Sequence, residues 1–427
     1  MNLLPYRNEV PPHREILPGG AVLLSVPMPT AHAVTMGVFL RSGSQDESAD
    51  LSGVSHFIEH MVFKGSERFS AFEIASGFDA IGASVDAFTT KDMVAFTIKV
   101  LPEYFAAGVD LLAEMLLRPT FAPDLVALEQ NVVLEEIQEA LDTPEDRLHD
   151  AFAERIYGAH GRSRPILGSE QNVQGFDPGT LRDQHARLFA PDNMIISLAG
   201  NLQAGFGELV AGHFGNGRSG GVAASAPAAG TQIEPAATTG GESLRLELNS
   251  PIIQTYFELG NLAIPFHHPD RLGVYLLNNI LGGGMSSRVF QAVREREGLA
   301  YTVYTYADMG RDIGLVSCAG SCSPDKVGRL EDIIRREYAA LISSGVSAEE
   351  LDSNKAQLKS QLIFSLEGIV NQMYRSARNE IYYGRFVPVA ELVDEIDGVT
   401  EEDVVGCARR YFDPDRLLVA VHGPAQA

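Results

Sequence analysis

The run MVAFTIKV (93–100) alternates apolar and polar positions in the manner of a β-strand, and similar runs occur in both halves of the chain. Segments around 103–117, 124–141, 271–281 and 347–364 carry apolar residues at helical spacing instead and predict helices with one apolar stripe. Between the two halves lies GNGRSGGVAASAPAAGTQIEPAATTGG (215–241), built of Gly, Ala, Ser, Thr and Pro with almost no large apolar side chain, which reads as a linker. Strands and helices intermix on either side of it. The expected fold class is therefore α+β, with helices packed on a sheet in two two-layer domains, 1–214 and 242–427.

The halves resemble each other. RLFAPDNMIISLAG (187–200) aligns with RYFDPDRLLVAVHG (410–423) at a shift of 223 residues, and both read as helix end, turn and strand. The same shift sets LEQNVVLEEIQE (128–139) on LDSNKAQLKSQL (351–362), and a shift of 220 sets GVSHFIEHM (53–61) on GVYLLNNIL (273–281). A repeat this long is a duplicated domain rather than a solenoid unit.

Composition narrows the chemistry. A chain of 427 residues that is 45% hydrophobic and 21% charged is a folded protein with room for two or three domains. A formal net charge of −23 disfavours nucleic acid and anionic membrane surfaces and favours a cationic partner, such as a basic peptide. No apolar run approaches the roughly 20 residues of a membrane span. The N-terminus lacks the pattern of a signal peptide or presequence, so a cytoplasmic protein of bacterial type is expected. Cys318, Cys322 and Cys407 offer neither a disulfide framework nor a thiolate zinc site, so any metal must be held by His and carboxylate.

VSHFIEHM (54–61) supplies both. On a helix His56, Glu59 and His60 project from one face, where two imidazoles one turn apart can hold zinc and the carboxylate beside them can take a proton from water. The order H-x-x-E-H inverts the commoner H-E-x-x-H. In the second half these positions become Leu276, Asn279 and Ile280, so the feature is not required by the shared fold. A third ligand is sought on the acidic helix ALEQNVVLEEIQEAL, where Glu129 and Glu136, seven apart, share a face from which Glu135 and Glu139 point away. Glu136 corresponds to Lys359 in the second half.

These features resemble the pitrilysin/insulinase family of inverted-motif zinc peptidases, in its processing-peptidase-like branch. The resemblance runs from about residue 15 to 423 and includes FKGSERFSAFEI, GASVDAFTTKD and VREREGLAY. It implies a duplicated mitochondrial-processing-peptidase-like fold that encloses a chamber, and one zinc per active site on His56, His60 and Glu136. It further implies Glu59 as general base and Glu129 as the acid that orients the ligands. It casts Ala83, Ser84, Val85, Asp86 and Ala87 as part of an edge strand to which an extended peptide adds, with Asp86 standing where relatives often have Asn. Gly283, within a glycine run that alone marks only a turn, joins them as a substrate contact. Arg294 and Tyr301 match the family's Arg and Tyr that bind substrate backbone and stabilise the tetrahedral intermediate.

The function so implied is a zinc metalloendopeptidase acting on unfolded or extended peptides. A chain of this length carries half the domains of the long single-chain relatives, which implies a homodimer, or a heterodimer with a paralogue. The competing reading is a non-catalytic scaffold or partner subunit of the same fold, against which stands the full set of site residues.

Overall fold

A computed structural model describes residues 9–215 and 245–424. Apart from Gly215, the expected linker lies outside the described residues. The chain forms two compact units, and they are not the two continuous segments expected. Among the described residues, the first comprises 9–139, 160–215 and 365–388, and the second 140–159, 245–364 and 389–424.

The first unit is built on a six-stranded sheet in the order β1-β2-β6-β3-β5-β4. Its strands are β1 (His13–Ile16), β2 (Val22–Pro27), β3 (Val34–Leu40), β4 (Ser84–Thr89), β5 (Val94–Val100) and β6 (Met194–Gly200). β2 and β6 run parallel and the other neighbours antiparallel. Alternate residues of β3, namely Val34, Met36, Val38 and Leu40, join Phe57, Met61, Phe105 and Leu112 of the helices in one apolar core. The opposite face is covered by helix Ile369–Tyr383. There Ser197 Oγ donates to the Met373 carbonyl at 2.9 Å, and a Cβ on Gly37 would meet Met373 Sδ at 3.0 Å. Arg14 and Arg41 fasten the same helix through Glu380, at 2.9 and 3.1 Å.

The second unit repeats this plan with five strands in the order β7-β11-β8-β10-β9. They are β7 (Arg245–Asn249), β8 (Thr255–Ala263), β9 (Ala300–Met309), β10 (Gly314–Cys322) and β11 (Leu418–Gly423). β7 and β11 are again the parallel pair. The opposite face of this sheet is covered by helix Pro144–Tyr157, which buries Leu148, Phe152, Ala153 and Tyr157 against Ile313, Leu315, Leu418 and Ala420.

Helices Pro144–Tyr157 and Ile369–Tyr383 occupy equivalent places in the two repeats, with starts 225 residues apart, yet each covers the sheet formed by the other repeat. This exchange explains why the units are discontinuous, and each sheet gains a one-helix layer beyond the two layers expected. Burying one such Leu or Phe contributes about 1.5–3 kcal/mol, and the sequence does not say which sheet receives it. The predicted helices appear as Phe105–Leu117, Pro123–Asp142, Arg271–Gly282 and Ala348–Phe364, and both 187–200 and 410–423 lead from a helix end into a strand. No helix among the described residues is long and apolar enough to cross a membrane.

Candidate metal centre

Helix Val54–Met61 presents the paired histidines because its other side is apolar: Val54, Phe57, Ile58 and Met61 are buried, at the spacing of one helix face. Its start is fixed by Gly53 at φ 97°, where a Cβ would lie 2.6 Å from the Leu167 carbonyl. Two of its first amide groups, those of Gly53 and Ser55, donate to the Glu47 carboxylate at 2.8 and 2.7 Å. That charge caps the helix and complements its dipole.

The remaining face carries His56, Glu59 and His60, with the two imidazole centroids 4.5 Å apart. Helix Pro123–Asp142 lies against it. Its buried stripe of Val126, Glu129, Val133 and Ile137 places a carboxylate among apolar residues, and Glu136 follows Glu129 two turns on. Glu135 and Glu139 are exposed, as their helical phase predicts.

Three ligand atoms converge. His56 Nε2 lies 3.8 Å from one oxygen of Glu136 and His60 Nε2 lies 3.7 Å from the other, and one ligand atom from each residue falls within 4.8 Å of the rest. Around a tetrahedral ion with bonds of about 2.0–2.1 Å, ligand atoms stand about 3.3 Å apart, close to the separations of Glu136 from the two imidazoles, so the three residues could supply three of its four ligands. Among the described residues this is the one cluster of three or more His, Cys, Asp or Glu spaced to hold a metal ion.

The protonation pattern suits a cation. His60 Nδ1 lies 2.8 Å from Glu129, a residue only 1% exposed, and Lys64 Nζ lies 2.6 Å from the other oxygen of that carboxylate. Burial alone would raise the Glu129 pKa, but the hydrogen bonds to His60 and Lys64 outweigh it and hold the carboxyl below its ordinary value. Glu129 is placed to accept the His60 Nδ1 proton, and in the neutral ring that tautomer leaves the Nε2 lone pair on the Glu136 side. Burial and the neighbouring His60 push His56 down to about 4, so this imidazole is neutral near pH 7. His56 Nδ1 is buried and has no hydrogen-bond partner among the described residues. For His60, burial opposes protonation, but the hydrogen bond to Glu129 and the charges of Glu136, Glu129 and Glu59 outweigh it and raise its pKa. A metal ion at Nε2 would relieve that accumulation of negative charge.

Glu59 sits beside the cluster, half-buried, with Oε2 accepting from Thr89 Oγ1 at 2.5 Å. Burial raises its pKa, and the Thr89 hydroxyl offsets part of the rise. Thr89 closes β4, the outermost strand of the sheet, which among the described residues is paired with β5 alone. Ser84, Val85, Asp86 and Ala87 lie along this strand, Ala83 immediately precedes it, and Ser84 and Asp86 are exposed.

The second unit contains the other expected residues. Arg294 lies with its guanidinium 4.6 Å from the Tyr301 ring centroid and 4.9 Å from that of Phe290, and Tyr301, at the start of the edge strand β9, is 80% exposed. Gly283 follows helix Arg271–Gly282 so closely that a Cβ would meet Asn279 Oδ1 at 2.1 Å. The structure thus brings His56, His60, Glu136, Glu59 and Glu129 together in one unit, and pairs Arg294 with Tyr301 in the other. Sequence reasoning missed Lys64 and Thr89. Lys64 stands one turn beyond His60, the only signal it gave, and Thr89 belongs to the strand already singled out.

The chain is similar to known proteins over nearly its whole length. The profile described as Insulinase (Peptidase family M16) matches residues 22–170, and that of the Peptidase M16 inactive domain matches residues 175–358. A Bacillus subtilis protein named an uncharacterized zinc protease is 36% identical over 92% of this chain and 94% of its own length. A Mycobacterium tuberculosis protein so named is 34% identical over 97% of this chain and 93% of its own. Among solved structures, a Helicobacter pylori protease has a TM-score of 0.86 at 20% identity, covering 97% of this chain and 100% of its own. A Pseudomonas fluorescens structure described as a peptidase M16 inactive domain has a TM-score of 0.85 at 22% identity, covering 98% and 99%. The chain belongs to the insulinase family, peptidase family M16.

Proposed function

We propose that this protein is a zinc metalloendopeptidase that cleaves extended or unfolded peptides. The observation that carries the proposal is the convergence of His56 Nε2, His60 Nε2 and the Glu136 carboxylate, with Glu59 beside them and Glu129 braced behind His60. A zinc ion held by His56, His60 and Glu136 would supply Lewis acidity toward the scissile carbonyl and toward water. Glu59 accepts the proton of the attacking water and delivers it to the leaving amine. Glu129 fixes the orientation and tautomer of His60.

The open edge of β4 receives the substrate by backbone pairing, a mode that selects extended chains over particular side chains. Arg294 and Tyr301 donate hydrogen bonds to the substrate backbone and the developing oxyanion, and in our reading they do so from a second copy of the chain that closes the chamber. The three cysteines are buried free thiols, which supports a reducing compartment, the cytoplasm. The excess of acidic residues favours basic peptides.

The test is cleavage of a quenched peptide by purified protein before chelation, after it, and after zinc is restored. The proposal requires activity that is lost and then recovered. Inert protein with full zinc, alone and with a paralogue from the same cell, would establish the scaffold reading instead.

A further inference from the structure

We propose that Thr89 is the positioning residue that fixes the general base relative to the substrate strand. The inference rests on the metallopeptidase reading and adds a link between its two parts. Thr89 is the last residue of β4 and pairs with Val94 of β5, so its backbone belongs to the same outer strand as Ser84 to Ala87. Its hydroxyl makes the sole hydrogen bond to the Glu59 carboxylate among the described residues, at 2.5 Å. Glu59 approaches from helix Val54–Met61, a separate element with its own anchors.

The Thr89 end of the strand is firmly held. Thr90 N donates to the Met93 carbonyl at 2.8 Å and Thr90 Oγ1 to the same oxygen at 3.0 Å. Asp92, buried in the turn, accepts from Gln45 at 2.9 Å, Tyr382 at 3.0 Å and Arg162 at 3.2 Å. One rigid strand therefore sets both the register of a paired peptide and the position of the carboxylate that activates water. A carboxylate with a free rotamer would take up that position only part of the time. Misplacement by about 1 Å is enough to lower a rate about 100-fold.

The experiment compares wild type, Thr89→Val, Thr89→Ser, Glu59→Gln and the double variant Thr89→Val/Glu59→Gln on a quenched peptide of about ten residues. Valine matches threonine in shape and in strand preference, so β4 is kept while the donor is removed. Thr89→Val is expected to lower kcat about 10–100-fold with KM within about twofold of wild type, and Thr89→Ser to stay within about threefold in kcat. Zinc content and melting temperature should match wild type in both. In the Glu59→Gln background, Thr89→Val should cost nothing further, because the hydroxyl acts through Glu59. Wild-type kcat in Thr89→Val, a loss in Thr89→Ser equal to that in Thr89→Val, or full additivity with Glu59→Gln would each overturn the proposal. A loss of zinc or a lowered melting temperature in Thr89→Val would overturn it too, in favour of a structural role. Failure of the peptidase reading shows differently: wild type itself would be inert, or Glu59→Gln would turn over like wild type.

Discussion

Helix Val54–Met61 of the first unit and helix Arg271–Gly282 of the second hold the same place in a repeated topology, and they differ chiefly on one side. Their apolar sides agree at three of four positions, with Val54, Phe57 and Met61 matched by Val274, Leu277 and Leu281, all buried, while Ile58 gives way to Asn278. On the other side His56, Glu59 and His60 correspond to Leu276, Asn279 and Ile280. Their packing partners diverge in the same way. Glu129 is buried where Asp352 is exposed, Glu136 faces two imidazoles where Lys359 pairs with Asp397 at 2.5 Å, and Lys64 stands where the second half has Gly284. A buried carboxylate destabilises a fold unless charged or hydrogen-bonded groups meet it. The first unit supplies His60 and Lys64 to Glu129, whereas the second unit avoids the demand with leucine and isoleucine. The framework is common to both halves, and the chemistry is an addition that one half carries.

The sharpest way to break this contrast is Glu59→Gln, which should retain one zinc per chain and lower kcat by about 100- to 10,000-fold, the usual range for a lost general base. Comparable turnover by metal-replete variant protein would remove Glu59 from the mechanism. Next, Glu129→Ala should weaken zinc binding about 10- to 100-fold, measured by competition with a chromogenic chelator on apo-protein. Unchanged affinity would detach Glu129 from the site.

The units should also differ toward acid. His185, whose Nε2 lies 2.8 Å from the Leu116 carbonyl, is pushed down to about 4 by burial, while its counterpart in the second unit is Ala408. Its folded pKa lies below its unfolded value of about 6.5, so the unfolded chain binds the extra proton between these values. Its stabilising contribution is complete above pH 6.5 and is lost as pH falls toward 4, by about 2–3 kcal/mol at pH 4.5. Denaturant titrations at pH 7 and 4.5 should show that difference shrink in His185→Gln, and an unaltered pH dependence would exclude His185 as its source. The smallest effect belongs to Lys359→Met. It removes a partly exposed ion pair and should change stability by about 0–1 kcal/mol while leaving zinc content intact. Loss of zinc in that variant would contradict the division of labour.

The candidate metal cluster is partly legible in the sequence, because His56, Glu59 and His60 are neighbours on one helix and periodicity alone sets their shared face. Glu136 was legible only through the family resemblance, since helical phase grouped it with Glu129 without saying that either meets the histidines. Strands β6 and β11 followed the repeat that the sequence displays around 187–200 and 410–423, whereas their parallel pairing with β2 and β7 depends on strands far away in the chain. The helix exchange did not, because the apolar stripes of Pro144–Tyr157 and Ile369–Tyr383 fit either sheet by composition and only packing selects one. Lys64 and Thr89 were missed for a related reason. A lysine or threonine shows its role through the residue it reaches, and both Glu129 and Glu59 are brought to them by tertiary approach.

The central claim, that His56, His60 and Glu136 hold one zinc ion, is tested most directly by the metal content of wild type and Glu136→Ala after dialysis against the same trace of zinc. One equivalent per chain in the wild type and a small fraction of that in a folded variant is the predicted result. Equal zinc in both, or none in either after exposure to zinc, would contradict it.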